Sequence, residues 1–212
     1  MKRIITGAII AVASIGILLS VGYVVTSQCD HNASDLLQQS SRNQDRITSL
    51  SSLTRSPLRA SIQIHLKTSP EKVFEYISSA GTLPLWMPGL ESVIYDHSDS
   101  VLIGTLGEGS RRTMLFDGQK ETEIIVQFEH PKVIAYQIIE GVPLRNHVAT
   151  MTVENAHGES ILTWNQYFEL KRTSIYGWLM PFIVRRFLDD AQTNLTNQFG
   201  GKAIAICRSK FL

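Results

Sequence analysis

Cysteine is nearly absent from this 212-residue chain, which has only Cys29 and Cys207, close to opposite ends. Two thiols so far apart, with no further ligands at fixed spacing, give neither a disulfide framework nor a zinc site. A surplus of charge is missing too. Lys and Arg total 20 against 19 Asp and Glu, for a formal net charge of +1. Without a basic excess to neutralise a phosphate backbone, no nucleic-acid partner is expected. Catalytic signatures are equally lacking. Gly104, Gly107 and Gly109 imitate a phosphate loop in glycine count, but a strand follows them where an anion site needs a helix N-terminus, so a hairpin is expected. His97, Ser98 and Asp99 have the residue types of a hydrolytic triad, yet neighbours on one turn cannot form the relay, and the chain has no nucleophile elbow. Asp189 and Asp190 fall on the polar face of a helix, where carboxylates stay solvated and ionised. No metal, cofactor or catalytic residue is therefore assigned.

What the chain does have begins with Lys2 and Arg3, followed by an uncharged run over residues 4–25. At ~1.5 Å per residue such a run spans a hydrocarbon core of about 30 Å. A cleaved signal peptide would carry a shorter apolar stretch and a better small-x-small site than residues 20–22 or 25–27 supply. Gln28 and Thr26 do not suit the lipobox that Cys29 would need. Residues 1–27 are thus expected to be an uncleaved signal anchor. With the basic pair at the N-terminus, the chain reads as a single-pass protein of a bacterial inner membrane with its domain on the periplasmic side. Residues 28–57, rich in Ser, Gln, Asn and Asp, read as a polar and partly helical linker. Leu36, Leu37, Ile47, Leu50 and Leu53 are too irregular to define a coiled stalk, so the oligomeric state is left open.

After the linker the pattern switches to period two. Over residues 58–66, Leu58, Ala60, Ile62, Ile64 and Leu66 share one face. Thr68 to Gly89 follows with a helix start at Ser69-Pro70, a stripe of Val73, Phe74 and Ile77, and an apolar turn in which Trp86 points inward. Further strands are expected over residues 90–95, 110–116, 121–129, 133–140, 147–154 and 161–170, about seven antiparallel strands in all. In the 121–129 strand, the alternation is read with Thr122, Ile124, Val126 and Phe128 inside and Glu121 and Glu123 outside. Of Arg111 and Arg112, one must face each way; surface ion pairs are expected for both, with Arg111 as the inward candidate. A helix opening at Pro181 carries Val184, Phe187, Leu188, Ala191 and Leu195 on one face and stops at Gly200-Gly201. Residues 58–201 are one α+β domain, and residues 202–212 a tail.

The succession SPEKVFEYI, LPLWMPGLESV, GEGSRRTM, HPKVIAYQIIEGVP and ESILTWNQYFEL before a terminal helix resembles the START-like, or SRPBCC, superfamily, in its polyketide cyclase/dehydrase and lipid-transport branch. The resemblance covers about two thirds of the chain. It implies a helix-grip fold, a curved sheet around a long C-terminal helix enclosing a hydrophobic cavity. It also implies a ligand among lipids, quinones, hormones or polyketides, carried in most members and transformed in a few.

Strand alternation puts His147, Ala149, Met151 and Val153 on one face, and Leu162, Trp164, Gln166, Phe168 and Leu170 on one face of the next strand. Candidate ligand contacts are therefore Leu85, Trp86, Met114, Met151 and Trp164 for the apolar body, with Val184, Phe187 and Leu188 from the helix. His147 and Gln166 are the polar points. The expected function is membrane-tethered binding or transfer of a hydrophobic molecule. The alternative is a cyclase/dehydrase-type enzyme using His147 as its acid or base.

Overall fold

The computed structural model describes residues 50–170 and 175–208, with side-chain environments for residues 52–170 and 179–204. The expected anchor, Cys29, residues 28–49 of the linker, and the side chains of Tyr176, Trp178 and Cys207 lie outside the described residues. No described helix is long and apolar enough to cross a membrane.

The linker ends in a one-turn helix, α1 (Leu50–Leu53), before β1 (Leu58–Leu66). Ser56 Oγ donates to the Asn146 carbonyl at 2.9 Å, which fixes this end of the linker to the sheet. Two short helices follow, α2 (Pro70–Ser78) and α3 (Leu83–Trp86). Six strands come next: β2 (Leu90–Asp96), β3 (Arg111–Phe116), β4 (Gln119–Glu129), β5 (Val133–Glu140), β6 (Leu144–Ala156) and β7 (Glu159–Leu170). The long helix α4 (Ile175–Phe199) and a last strand, β8 (Gly201–Arg208), complete the order. One sheet results, with strand order β2-β3-β4-β5-β6-β7-β1-β8 and antiparallel pairing throughout.

Val73, Phe74 and Ile77 of α2 are buried against the sheet, as their helical spacing requires. Ser69 occupies the N-cap, but its hydroxyl makes no capping bond; its carbonyl accepts from Val73 N at 3.1 Å. The core closes where Leu188, Ala191 and Leu195 of α4 meet Ile62, Ile64, Leu66 and the β6 and β7 faces.

Three expectations need correction. The helix begins at Ile175, not at Pro181. Met180 and Pro181 are both buried, and that packing offsets the backbone hydrogen bond a proline cannot donate. The expected tail is instead an eighth strand, β8, which covers the outer edge of β1 from Leu66↔Gly201 to Ala60↔Arg208. A Cβ on Gly201 would lie 1.9 Å from the His65 carbonyl oxygen, and its φ is +116°, so this close approach depends on glycine. The third concerns β4. Glu123 and Ile125 are buried there, and Glu121 shares their face, so the first half of the strand has the opposite phase to the one expected. A register shift between Ile125 and Gln127 then turns Phe128 back to the core, against Phe74 at 5.5 Å. One bulged residue reverses the faces on either side of it.

Candidate functional site

The two halves of α4 differ in what they meet. Its C-terminal half packs on the core, whereas Met180, Ile183, Val184 and Phe187 border a cavity of about 390 Å³. Met87 and Pro88 after α3, Phe116 of β3 and the Val142-Pro143 turn supply further apolar wall. Across from the helix, Glu121, Glu123, Tyr136, His147 and Gln166 line the same cavity. The volume falls in the range of small-molecule sites, and so does the pattern of apolar walls with a few converging polar groups. A second, more open hollow of about 690 Å³ lies beside residues 52–56, lined chiefly by polar side chains such as Arg55, Gln137, Asn146 and Glu169. That lining gives an apolar ligand little to bury against.

The register brings the polar groups together. Arg112 pairs with Glu123 across β3 and β4, Tyr136 with Ala149 across β5 and β6, and Ala149 with Gln166 across β6 and β7. The β5–β6 pairing ends at Tyr136↔Ala149, and the Ile138 N–H donates instead to His147 Nδ1 at 3.2 Å. Because Nδ1 accepts, the ring proton sits on Nε2, which donates to Gln166 Oε1 at 2.7 Å. Gln166 Nε2 and Trp164 Nε1 both donate to the Tyr136 hydroxyl oxygen, at 3.5 and 3.1 Å. The Arg112 guanidinium lies 4.4 Å from the Tyr136 ring centroid and its Nε donates to Glu123 Oε2.

Burial governs the protonation of this cluster. It lowers the His147 pKa to about 4, against the opposing hydrogen bond to Gln166, so the ring is neutral at pH 7. Burial is the largest influence on Arg112 and works to lower its pKa, but Glu123, Tyr95 and Tyr136 together outweigh it and the guanidinium stays charged. Glu121 is pushed up to about 9, first by burial and then by the charge of the neighbouring Glu123. Burial raises Glu123 as well, with Arg112 opposing. With both of its nitrogens engaged, His147 has no free atom for proton transfer and acts to orient Gln166. Among the described residues no group of His, Cys, Asp and Glu could hold a metal ion.

A family model described as polyketide cyclase/dehydrase and lipid transport matches residues 57–199. The chain belongs to that family. Among curated proteins none matches the sequence. Solved structures agree with the family in fold. Protein XoxI from Bacillus cereus is 21% identical with a TM-score of 0.53, over 66% of this chain and 93% of its own. Ara h 8.0201 is 14% identical with a TM-score of 0.51, over 67% of this chain and 97% of its own. A Thermobifida fusca protein is 12% identical with a TM-score of 0.50, over 66% and 94%. The helix-grip architecture of the polyketide cyclase/dehydrase and lipid-transport family is therefore the frame of the cavity.

Within that frame, four of the expected contacts, His147, Gln166, Val184 and Phe187, line the cavity. Trp86, Met114, Met151, Trp164 and Leu188 are buried core behind it, and Trp164 reaches it indirectly, edge-on to Phe187 at 5.8 Å. Leu85 is 63% exposed and points away, because α3 turns Leu83 and Trp86 inward and leaves Leu85 outside. The arginines are reversed. Arg112 is inside, and Arg111 is outside with Asp99 at 3.4 Å. Sequence reading missed Arg112, Glu121, Glu123 and Tyr136 as site residues. One signal was available: Met114 was placed inward, and Arg112, two residues before it, shares its face. Asp189 and Asp190 pair with Arg185 and Arg186 on the outer face of α4, the polar face expected for them. The Gly104–Gly109 segment is a turn closed by Val101 N to the Glu108 carbonyl at 2.8 Å.

Proposed function

We propose that this domain binds an elongated hydrophobic small molecule, such as a lipid, acyl ester, isoprenoid quinone or polyketide-like compound, in the α4 cavity. It carries that molecule rather than transforming it, close to a membrane held by the N-terminal apolar segment. The observation behind the reading is the cavity itself, apolar on the α4 side and polar on one patch of sheet. Taking roughly 400 Å² of apolar ligand surface out of water supplies on the order of 10 kcal/mol before ordering costs, enough for micromolar binding. A tether of about thirty residues keeps the domain near the bilayer that would supply such a ligand.

The test is fluorescence titration of the full-length chain with diphenylhexatriene, a hydrocarbon probe. Saturable micromolar binding is expected, weakened about tenfold or more by Val184→Trp, which fills the cavity. No binding, or binding indifferent to that substitution, contradicts the reading.

A second reading, a cyclase/dehydrase-type enzyme, draws on one observation. Glu121 lines the cavity and keeps its proton at neutral pH. The acid would then be Glu121, not His147 as expected from sequence. Conversion of a polyketide-like substrate that is lost in Glu121→Gln would favour this reading over carriage.

A further inference from the structure

The polar patch on the cavity wall has a definite charge balance and, in the Tyr136 hydroxyl, a donor left unused. We propose that it recognises an uncharged oxygen acceptor on the apolar ligand, through the Tyr136 hydroxyl, and rejects carboxylate and phosphate head groups. The inference rests on the α4 cavity being the ligand site.

Arg112 and Glu123 are 1% and 2% exposed and form an ion pair, so the guanidinium charge is already met by a carboxylate. The guanidinium also stacks on Tyr136 rather than bordering the cavity. Glu121 and Glu123 leave the same face of β4 two residues apart, so their carboxyl groups are neighbours, Glu123 buried and Glu121 half-buried. Two neighbouring carboxyl groups facing one buried guanidinium cannot both ionise readily, so one of them, Glu121, holds its proton. Three ionisable groups thus carry one positive and one negative charge. His147 adds none, as its Nδ1 accepts an amide proton. The other charged residues of the lining, Asp117 and Lys120, are exposed at the rim, opposite in sign and solvated. An anionic head group brought inside would meet the Glu121–Glu123 pair with no buried, unpaired cation among the described lining residues to offset its lost hydration.

The donor is equally specified. The Tyr136 oxygen accepts from both Trp164 and Gln166, which uses its lone pairs, and its own proton has no acceptor among the described residues. Gln166 cannot turn to take that proton, because its carbonyl oxygen is held by His147. On a residue that lines the cavity, a hydroxyl with a fixed lone-pair arrangement and an unspent proton suits a carbonyl, ether or hydroxyl oxygen of the ligand.

The experiment compares cis-parinaric acid with its methyl ester at pH 7.4 on the full-length chain, reading polyene fluorescence. The ester is expected to bind about tenfold or more tightly than the acid. Glu121→Gln, which replaces a protonated carboxyl by a neutral amide, is expected to keep that preference. Tyr136→Phe is expected to weaken the ester several-fold and leave diphenylhexatriene unchanged. In Glu121→Gln/Glu123→Gln the Arg112 charge is left alone, and the preference is expected to turn to the acid. Should the double variant fail to fold, the wild-type and single-variant comparisons decide. Equal binding of acid and ester, or tighter binding of the acid, overturns the inference while leaving the cavity reading intact. Loss of the preference in Glu121→Gln, or parallel weakening of ester and hydrocarbon in Tyr136→Phe, overturns it as well. Failure of both parinaric probes and of diphenylhexatriene to bind removes the cavity reading and the inference together.

Discussion

Arg112 is the residue whose environment differs most from what its type implies. It lies in the wall of the core paired with Glu123, and its Nη2 has no hydrogen-bond partner among the described residues. Removing one member of such a pair costs more than removing both, since a lone buried charge remains. Glu123→Gln is expected to lower unfolding free energy by about 3–5 kcal/mol, and Arg112→Met combined with Glu123→Gln by clearly less. Urea denaturation of the two variants checks this. The pH dependence of the cavity groups has two signs, His147 on one side and Glu121, with Glu123, on the other. His147 is held below its unfolded value of 6.5, at about 4, so the unfolded chain binds the extra proton between those limits and stability rises with pH there. Glu121 is raised from 4.5 to about 9, so the folded chain holds the extra proton and stability falls as pH rises through that window. The two offset one another where they overlap. Above pH 6.5 only the Glu121 slope of the two remains, at most about 1.4 kcal/mol per pH unit. Urea midpoints should therefore fall from pH 7 to pH 8.5 in the wild type and fall less in Glu121→Gln; equal slopes in both would contradict the assignment.

Among the elements, β8 carries the clearest consequence. It shields the β1 edge, and its first residue requires glycine both for a positive φ and for the approach to His65. Gly201→Ala is expected to cost about 1–3 kcal/mol and to speed amide exchange at Gln63 and His65, whose N–H groups face β8, with the β6–β7 amides less affected. Hydrogen exchange by mass spectrometry reads both. The elements also show what the sequence discloses and what it does not. β5 matches residues 133–140 as expected, and the core faces of β6 and β7 are legible because Ala149, Met151 and Val153 alternate with Thr150 and Thr152, and Leu162 and Trp164 with Thr163 and Asn165. In β4, Ile124, Ile125 and Val126 are consecutive apolar residues, so either phase buries an isoleucine and nothing local marks the bulge that decides between them. β8 was passed over because its pairing with β1 is a long-range event that Gly200-Gly201 does not announce.

At the scale of the whole molecule, the helix-grip fold was legible from element order, and the family match bears it out. The exact lining of the cavity was not. Whether a buried residue borders the cavity or packs behind it depends on how far each turn of α4 stands from the sheet, which periodicity does not encode. Trp86 and Trp164 illustrate this: both are fully buried, 5.5 Å apart as an edge-to-face pair, and neither lines the cavity. Their large-to-small variants should act mainly on stability, with Trp164→Ala costing about 3–5 kcal/mol in urea unfolding. The central claim is a hydrophobic, uncharged ligand in the α4 cavity. Its most direct test is solvent extraction of the purified full-length chain, with the released small molecules identified and quantified by mass spectrometry. The account predicts one apolar, uncharged compound close to one per chain, lost from Val184→Trp. A chain that carries no such compound in either form and takes up no apolar probe would contradict it.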